Sequence, residues 1–191
     1  FCPIVCWNVR GLNNPARRTG VCELACAAKA GILCVQETKL STLDTALACE
    51  IASPSRQSFL CLPADGTRGG VALFWNSDMV AISNPRILSF SITVVVTIVN
   101  SGLAFLLTTV YGPAEDARKP AFLQEMASIS PRLGEPWLIT GDFNLIYEAR
   151  DKSNLNLCRR LMGQFRAAID LAELFELGCA NRNFSWSNEQ Q

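Results

Sequence analysis

The 191-residue chain contains no histidine. That absence removes the usual general base near neutral pH, the commonest transition-metal ligand and every Ser-His or Cys-His nucleophile. An excess of charge is missing too, because seventeen Lys and Arg balance seventeen Asp and Glu. No global positive field attracts a polyanion, so any nucleic-acid contact must rest on a local patch. Mean hydropathy is +0.19, yet no apolar run approaches the ~18 residues of a membrane-spanning helix. The chain therefore reads as soluble, with no membrane partner. The nine cysteines include no Cys-x-x-Cys pair, and an odd total suits a disulfide framework poorly, which points to a reducing compartment. Cys22 and Cys26 share a helical face, and Cys34 and Cys61 lie in apolar runs. They are read as small buried hydrophobes, with zinc binding as the minor alternative. Phe1 is not a start methionine and residues 3–7 already read as strand, so the chain is expected to begin mid-protein, with no targeting signal to read.

What is present is 49% hydrophobic residues, enough for one domain spanning residues 1–191. Short β-type runs alternate with amphipathic stretches. Residues 4–8 form the first strand; Pro15 opens a helix over 16–30, which Gly31 is expected to end. The apolar run 32–36 delivers Glu37 at its C-terminal end. A helix over 41–52 precedes strands over 58–62 and 71–75, with a glycine-rich loop between them. Residues 88–99 alternate, placing Leu88, Phe90, Ile92, Val94, Val96 and Ile98 on one face. Asn100-Ser101-Gly102 then turns the chain back into a strand that ends at Tyr111. A helix between Pro120 and Pro131 leads to a buried strand over 137–140, followed by Gly141-Asp142-Phe143-Asn144. The pattern Leu157, Leu161, Phe165, Ala168 and Ala172 gives the last helix, and residues 184–187 suit one more short strand. The central hairpin favours two packed sheets with helices outside over a doubly wound parallel sheet.

Asn8, Glu37, Tyr111, Asp142 and Asn144 each fall at or just beyond the C-terminal end of an expected strand, where polar groups can meet on one rim. Glu37, with Asn8 or Asp142, offers hard oxygen ligands suited to Mg²⁺, which takes one or two carboxylates and keeps several waters. Two carboxylates gathered without a cation would repel each other, and a metal offsets that cost. Residues 142 and 144, two apart in extended backbone, would face the same way. Asp142 could then orient or deprotonate a water while the Asn144 amide donates to a developing phosphorane oxygen. The paired basic residues Arg17-Arg18 and Arg159-Arg160, with Lys152, are read as solvated surface. Trp7, Trp75, Trp137 and Trp186 are read as core.

Residues 7–12 (Trp-Asn-Val-Arg-Gly-Leu), 35–39 (Val-Gln-Glu-Thr-Lys), 110–113 (Val-Tyr-Gly-Pro) and 139–144 (Ile-Thr-Gly-Asp-Phe-Asn) occur in that order. Together they resemble the motifs of the exonuclease-endonuclease-phosphatase superfamily. The wording of the first two, with residues 68–73 (Arg-Gly-Gly-Val-Ala-Leu) and 184–188 (Phe-Ser-Trp-Ser-Asn), is similar to the endonuclease of plant LINE-type (non-LTR) retrotransposons. The resemblance implies a DNase I-like, four-layer α-β-β-α sandwich of two mixed sheets, incomplete at the C-terminus. It implies Glu37 as metal ligand, with Mg²⁺ or Mn²⁺ as cofactor, and Asn8 organising metal and phosphate. Tyr111 would contact phosphate, Asp142 position the water, Asn144 stabilise the transition state and Ser185 lie near the DNA. The implied partners are DNA and a downstream reverse transcriptase, the implied setting the nucleus, and the implied reaction nicking that leaves a 3′-hydroxyl. One departure stands out: the family ends with a further Asp and a Ser-Asp-His motif, and neither is present. The chain is therefore expected to be a truncated domain with little or no activity alone. The alternatives are a phosphatase or phosphodiesterase acting on a small phosphate ester or lipid, and a non-catalytic remnant.

Overall fold

A computed structural model describes residues 2–129, 131, 135–151 and 157–178. Ser185, Trp186, Lys152 and the expected strand at 184–187 lie outside them. Eight strands form two four-stranded mixed sheets. The first contains β1 (Ile4–Asn8), β2 (Ile32–Gln36), β3 (Ser58–Leu62) and β4 (Val71–Trp75), in the order β1-β2-β4-β3. The second runs in sequence through β5 (Val80–Ile87), β6 (Ser91–Ile98), β7 (Ala104–Tyr111) and β8 (Trp137–Asp142). Each sheet carries one parallel pair, β1 with β2 and β7 with β8.

The side-chain alternation of β2 shows how the layers stack. Leu33 and Val35 face a core built with Val21, Ala25, Ala48 and Ile51, which come from α1 (Pro15–Ala27) and α2 (Thr45–Ala52). Ile32 and Cys34 face the second sheet, among Val80, Ile92, Val94, Val96 and Leu107. All five residues of β2 are buried, which explains a continuous apolar run in place of an alternating one. On the far side, Val110 and Phe90 pack with Phe122 and Met126 of α3 (Lys119–Ser128) and Phe165 of α4 (Arg159–Leu171). Helices, sheet, sheet and helices make the expected four layers.

Local chemistry sets the helix ends. Asn14 caps α1 by accepting from the Ala16 N–H at 2.9 Å, with Pro15 in the first turn, and Asp44 caps α2 through the Leu47 N–H at 2.8 Å. The first helix stops earlier than the expected Gly31. Lys29 adopts φ +50°, and the Ala30 N–H reaches back to the Ala25 carbonyl at 2.9 Å, a Schellman-type ending.

Three expectations need correcting. Strand β5 has no counterpart in the sequence reading, because its burial pattern is largely exposed and it contains Pro85, which suits an edge strand. The alternating stretch is buried on both faces: Ser91 and Thr93 are as enclosed as Ile92 and Val94, with Thr93 and Thr108 hydroxyls 3.0 Å apart. The cysteines are not uniformly buried. Among the described residues only Cys34 is, while Cys6, Cys26 and Cys158 are exposed.

Candidate active site

The two parallel pairs point their C-terminal ends toward one rim. Register pairs Asn8 with Gln36 and Tyr111 with Asp142, so the strand ends lie level within each sheet. A side-chain bond then joins the sheets: Asn8 Nδ2 donates to Asp142 Oδ2 at 2.7 Å. The Asn8 amide is oriented from its other side, where Oδ1 accepts from the Arg10 N–H at 3.1 Å. Behind this contact, buried Gln36 donates from Nε2 to Thr109 Oγ1 at 2.9 Å, a second polar tie across the sheets.

Asp142 is held by two donors, since its Oδ1 accepts from the Asn144 N–H at 3.0 Å. That bond closes a tight turn in which Asn144 is left-handed, φ +49°. The extended 142–144 pair expected from sequence is therefore replaced by an Asx-type turn, which Asn tolerates better than most residues. Asn144 Nδ2 donates to the Gly112 carbonyl at 2.8 Å, fixing the amide beside the end of β7. Gly141 makes the turn feasible: its φ is +138°, and a Cβ there would run into the Val110 carbonyl.

Glu37 follows β2 with φ +54°, and Lys39 Nζ lies 3.1 Å from its Oε1. Tyr111 reports how near the carboxylates come. Its phenol is pushed up to about 12, by burial first, then by the charges of Glu37 and Asp142, with an Asn144 hydrogen bond acting in the opposite sense. Asn8, Tyr111, Asp142 and Asn144 are thus linked, and Glu37 stands within electrostatic reach. Beside them opens a cleft of about 300 Å³, lined by Glu37, Lys39, Arg68, Tyr111, Glu115 and Arg118 among others. Arg68 bonds Glu115 across it at 2.7 Å.

Lys39, Arg68 and Glu115 were not singled out from sequence, although Lys39 sits two residues after Glu37 and Arg68 precedes a Gly-Gly pair. The pair Arg17-Arg18 is more than solvated surface. Arg17 donates to the Arg10 carbonyl, and Arg18 to the Leu12 carbonyl at 3.0 Å and to Glu50 at 2.8 Å, bracing the loop after β1. Trp7 is exposed at 38% rather than core, whereas Trp137 donates its indole N–H to Thr108 Oγ1 at 2.9 Å.

The donor set fits a hydrated Mg²⁺. Among the described residues no group of three or more Cys, Asp or Glu is placed to cage a metal. One or two carboxylates with waters is the usual Mg²⁺ arrangement. Glu37 is the residue that would hold it. Asp142 has an acceptor bond on each oxygen, and its charge remains available to waters around the ion.

Two mixed sheets sandwiched by helices, with an oxygen- and amide-rich rim at the ends of both parallel pairs, define a DNase I-like α/β fold. The chain belongs to the Endonuclease/Exonuclease/phosphatase family, whose model matches residues 5–190. Members of this family are hydrolases of phosphodiesters or phosphate esters. Among solved structures it is similar to the AP endonuclease LMAP from Leishmania major (14% identity, TM-score 0.69, covering 88% of this chain and 66% of that one). It is also similar to the Xenopus laevis APE2 catalytic domain (18%, 0.63, 87% and 66%) and to a mannosyl-6-phosphatase from Bacteroides thetaiotaomicron (16%, 0.60, 87% and 70%). The chain spans about two thirds of the length of these structures. No protein of curated function matches it by sequence. No described helix is long and apolar enough to cross a membrane.

Proposed function

We propose that this rim is the catalytic centre of a Mg²⁺-dependent DNA endonuclease, in which Asn8, Glu37, Tyr111, Asp142 and Asn144 act together on one phosphodiester. The observation that carries the reading is the 2.7 Å bond from Asn8 to Asp142, which unites the ends of β1 and β8 from different sheets. Asp142, held by two donors, presents a fixed anion that orients or deprotonates the attacking water. Tyr111 keeps its proton at any physiological pH, its phenol being held near 12, so it donates to a phosphate oxygen. The Asn144 amide, bonded to the Gly112 carbonyl and to the Tyr111 phenol, would exchange its Tyr111 bond for one to a non-bridging oxygen as charge develops there. Asn8 positions Asp142 and contacts phosphate. When bound at Glu37, Mg²⁺ would supply Lewis-acid polarisation of the phosphoryl group. Lys39 lies 3.1 Å from Glu37 and partly offsets its charge.

By the motif wording, the substrate is DNA nicked to leave a 3′-hydroxyl for a reverse transcriptase encoded further along the same polypeptide, in the nucleus. The same resemblance implies Ser185 as a residue that would lie near that DNA. The chain has no histidine, and loss of a general acid or base removes ~10²- to 10⁴-fold in rate. The 191-residue chain alone is therefore expected to be nearly inactive, and robust Mg²⁺-dependent plasmid nicking by it would refute that expectation. Isothermal titration with Mg²⁺ tests the metal assignment independently of turnover: Glu37→Ala should bind more weakly than wild type, and equal affinities would count against Glu37. Reading the frame past Gln191 for an Asp-containing strand and a Ser-Asp-His motif separates an active parent from a non-catalytic remnant.

A second reading, phosphatase action on a small phosphate ester or lipid head group, is favoured by the cleft, whose volume of about 300 Å³ is small-ligand sized. A sugar phosphate hydrolysed by the frame-extended protein, with plasmid left intact, would select it.

A further inference from the structure

Away from the rim, a buried cation stands against two thiols. Arg56 is 4% exposed and ends the 3-10 turn Pro54–Arg56. Its Nη1 donates to the Ala30 carbonyl at 3.1 Å. Its Nη2 donates to Ser53 Oγ at 3.2 Å and to Cys26 Sγ at 3.0 Å, and its Nε has no partner. Among the described residues no carboxylate pairs with it. A guanidinium removed from water without an anion is costly, and an incompletely bonded one more so. Cys26, an exposed residue, presents its sulfur to this cation at 3.0 Å.

One turn earlier on α1 stands Cys22. Burial first, then the Cys26 sulfur, push its thiol up. Cys22 also lines a groove of about 410 Å³ with Pro15, Arg18, Thr19, Glu23 and Glu50, which Cys26 does not reach. The pair lies at the end of α1 away from the loop after β1, ~15 Å along a helix that rises ~1.5 Å per residue.

We propose that Cys26 is a thiol-modification site that reacts with small peptide disulfides, with Arg56, 3.0 Å from its sulfur, as the neighbouring cation. The Cys26 proton passes to solvent, and the thiolate sulfur attacks one sulfur of the disulfide. A new S–S bond forms as the old one breaks. The departing sulfur leaves with the electron pair and is protonated by water, so Cys26 is oxidised, one sulfur of the reagent is reduced, and no further oxidant is required. This site is independent of the phosphoester reading.

The test uses the purified chain and glutathione disulfide, with brief exposure, acid quench and peptide mapping by mass spectrometry. Cys26 should acquire glutathione roughly tenfold faster than the exposed Cys158, as expected for a thiol beside a fixed cation. Arg56→Gln should bring the Cys26 rate down toward that of Cys158 while Cys158 is unchanged, and Cys22→Ser should leave Cys26 the preferred site. A wild-type Cys26 that reacts no faster than Cys158 overturns the proposal. So does a folded Arg56→Gln chain, judged by circular dichroism, with undiminished Cys26 reactivity. If Arg56→Gln does not fold, Arg56→Lys and the wild-type ratio of the two sites decide.

Discussion

Replacing Glu37 by Gln removes one negative charge from the rim and keeps the side chain's shape, and the Tyr111 phenol should register the loss. The phenol rises from 10 to about 12, with burial the largest cause and the charges of Glu37 and Asp142 next. A single charge ranks below burial within a rise of that size. Its removal should therefore lower the phenol measurably, by less than burial raises it. The chain has two tyrosines, Tyr111 and Tyr147, so a Tyr147→Phe background leaves one phenol to follow. A stopped-flow pH jump, read by ultraviolet phenolate absorbance, catches the titration before alkaline unfolding begins. Asp142→Asn should act in the same direction and somewhat less, because Glu37 is the larger of the two charge effects. If both variants leave the Tyr111 curve unmoved, the two carboxylates do not share the phenol's surroundings, and the reading of one common site fails.

Three further outcomes follow from the same geometry. Gly141→Ala should destabilise the fold by about 2 to 4 kcal/mol, seen as a lower urea midpoint, because φ is +138° and the new Cβ meets the Val110 carbonyl; an unchanged midpoint would contradict it. Gln36→Leu should cost about 1 to 3 kcal/mol by stripping Thr109 Oγ1 of its 2.9 Å bond, and clearly less in a Thr109→Val background; additive losses in that cycle would show no coupling across the sheets. Since the folded state keeps the Tyr111 proton to about 12 against 10 for an ordinary phenol, the associated stability is full below pH 10 and disappears as pH rises toward 12. The contribution is at most ~2 kcal/mol after allowance for partial exposure, and Tyr111→Phe should flatten that part of the stability profile.

The strands that carry the rim were legible because each is a short apolar run ending in a polar residue: Ile32–Gln36 before Glu37, Ala104–Tyr111, and Trp137–Asp142. The layered fold followed from the hairpin between β6 and β7. Strand β5 was not legible, since an exposed edge strand lacks the burial that imposes alternation. The turn at Asn144 was missed because spacing alone does not reveal a left-handed residue. Gln36 offered a signal that went unused: a fully polar amide inside an apolar run is costly unless bonded, and its bond to Thr109 is the tie between sheets. The tasks of Arg17 and Arg18 were hidden for a different reason, as the carbonyls they hold belong to a loop whose path is set only in three dimensions.

Backbone conformation adds an argument that no single side chain supplies. Fourteen described residues have positive φ, and eight of them are Arg10, Gly11, Glu37, Lys39, Gly69, Gly70, Gly141 and Asn144, in loops that leave β1, β2 and β8 or enter β4 at the rim and, for Gly141, next to the end of β8 itself. Four of these eight carry side chains, each paying ~1 kcal/mol or more for a left-handed conformation. A fold selected for stability alone would place glycine or a different turn at those points. Glu37 is the sharpest case, because Glu has neither glycine's freedom nor the local hydrogen bonding by which Asn settles into this region. Its conformation is retained where a carboxylate, a lysine and a tyrosine share one cleft, and nothing in the packing of β2 requires a charged residue there. Lys29 and Glu173 adopt the same conformation just past the ends of α1 and α4, where it ends a helix; Glu37 ends none, and its strain falls instead on the carboxylate to which the proposed function assigns the cation.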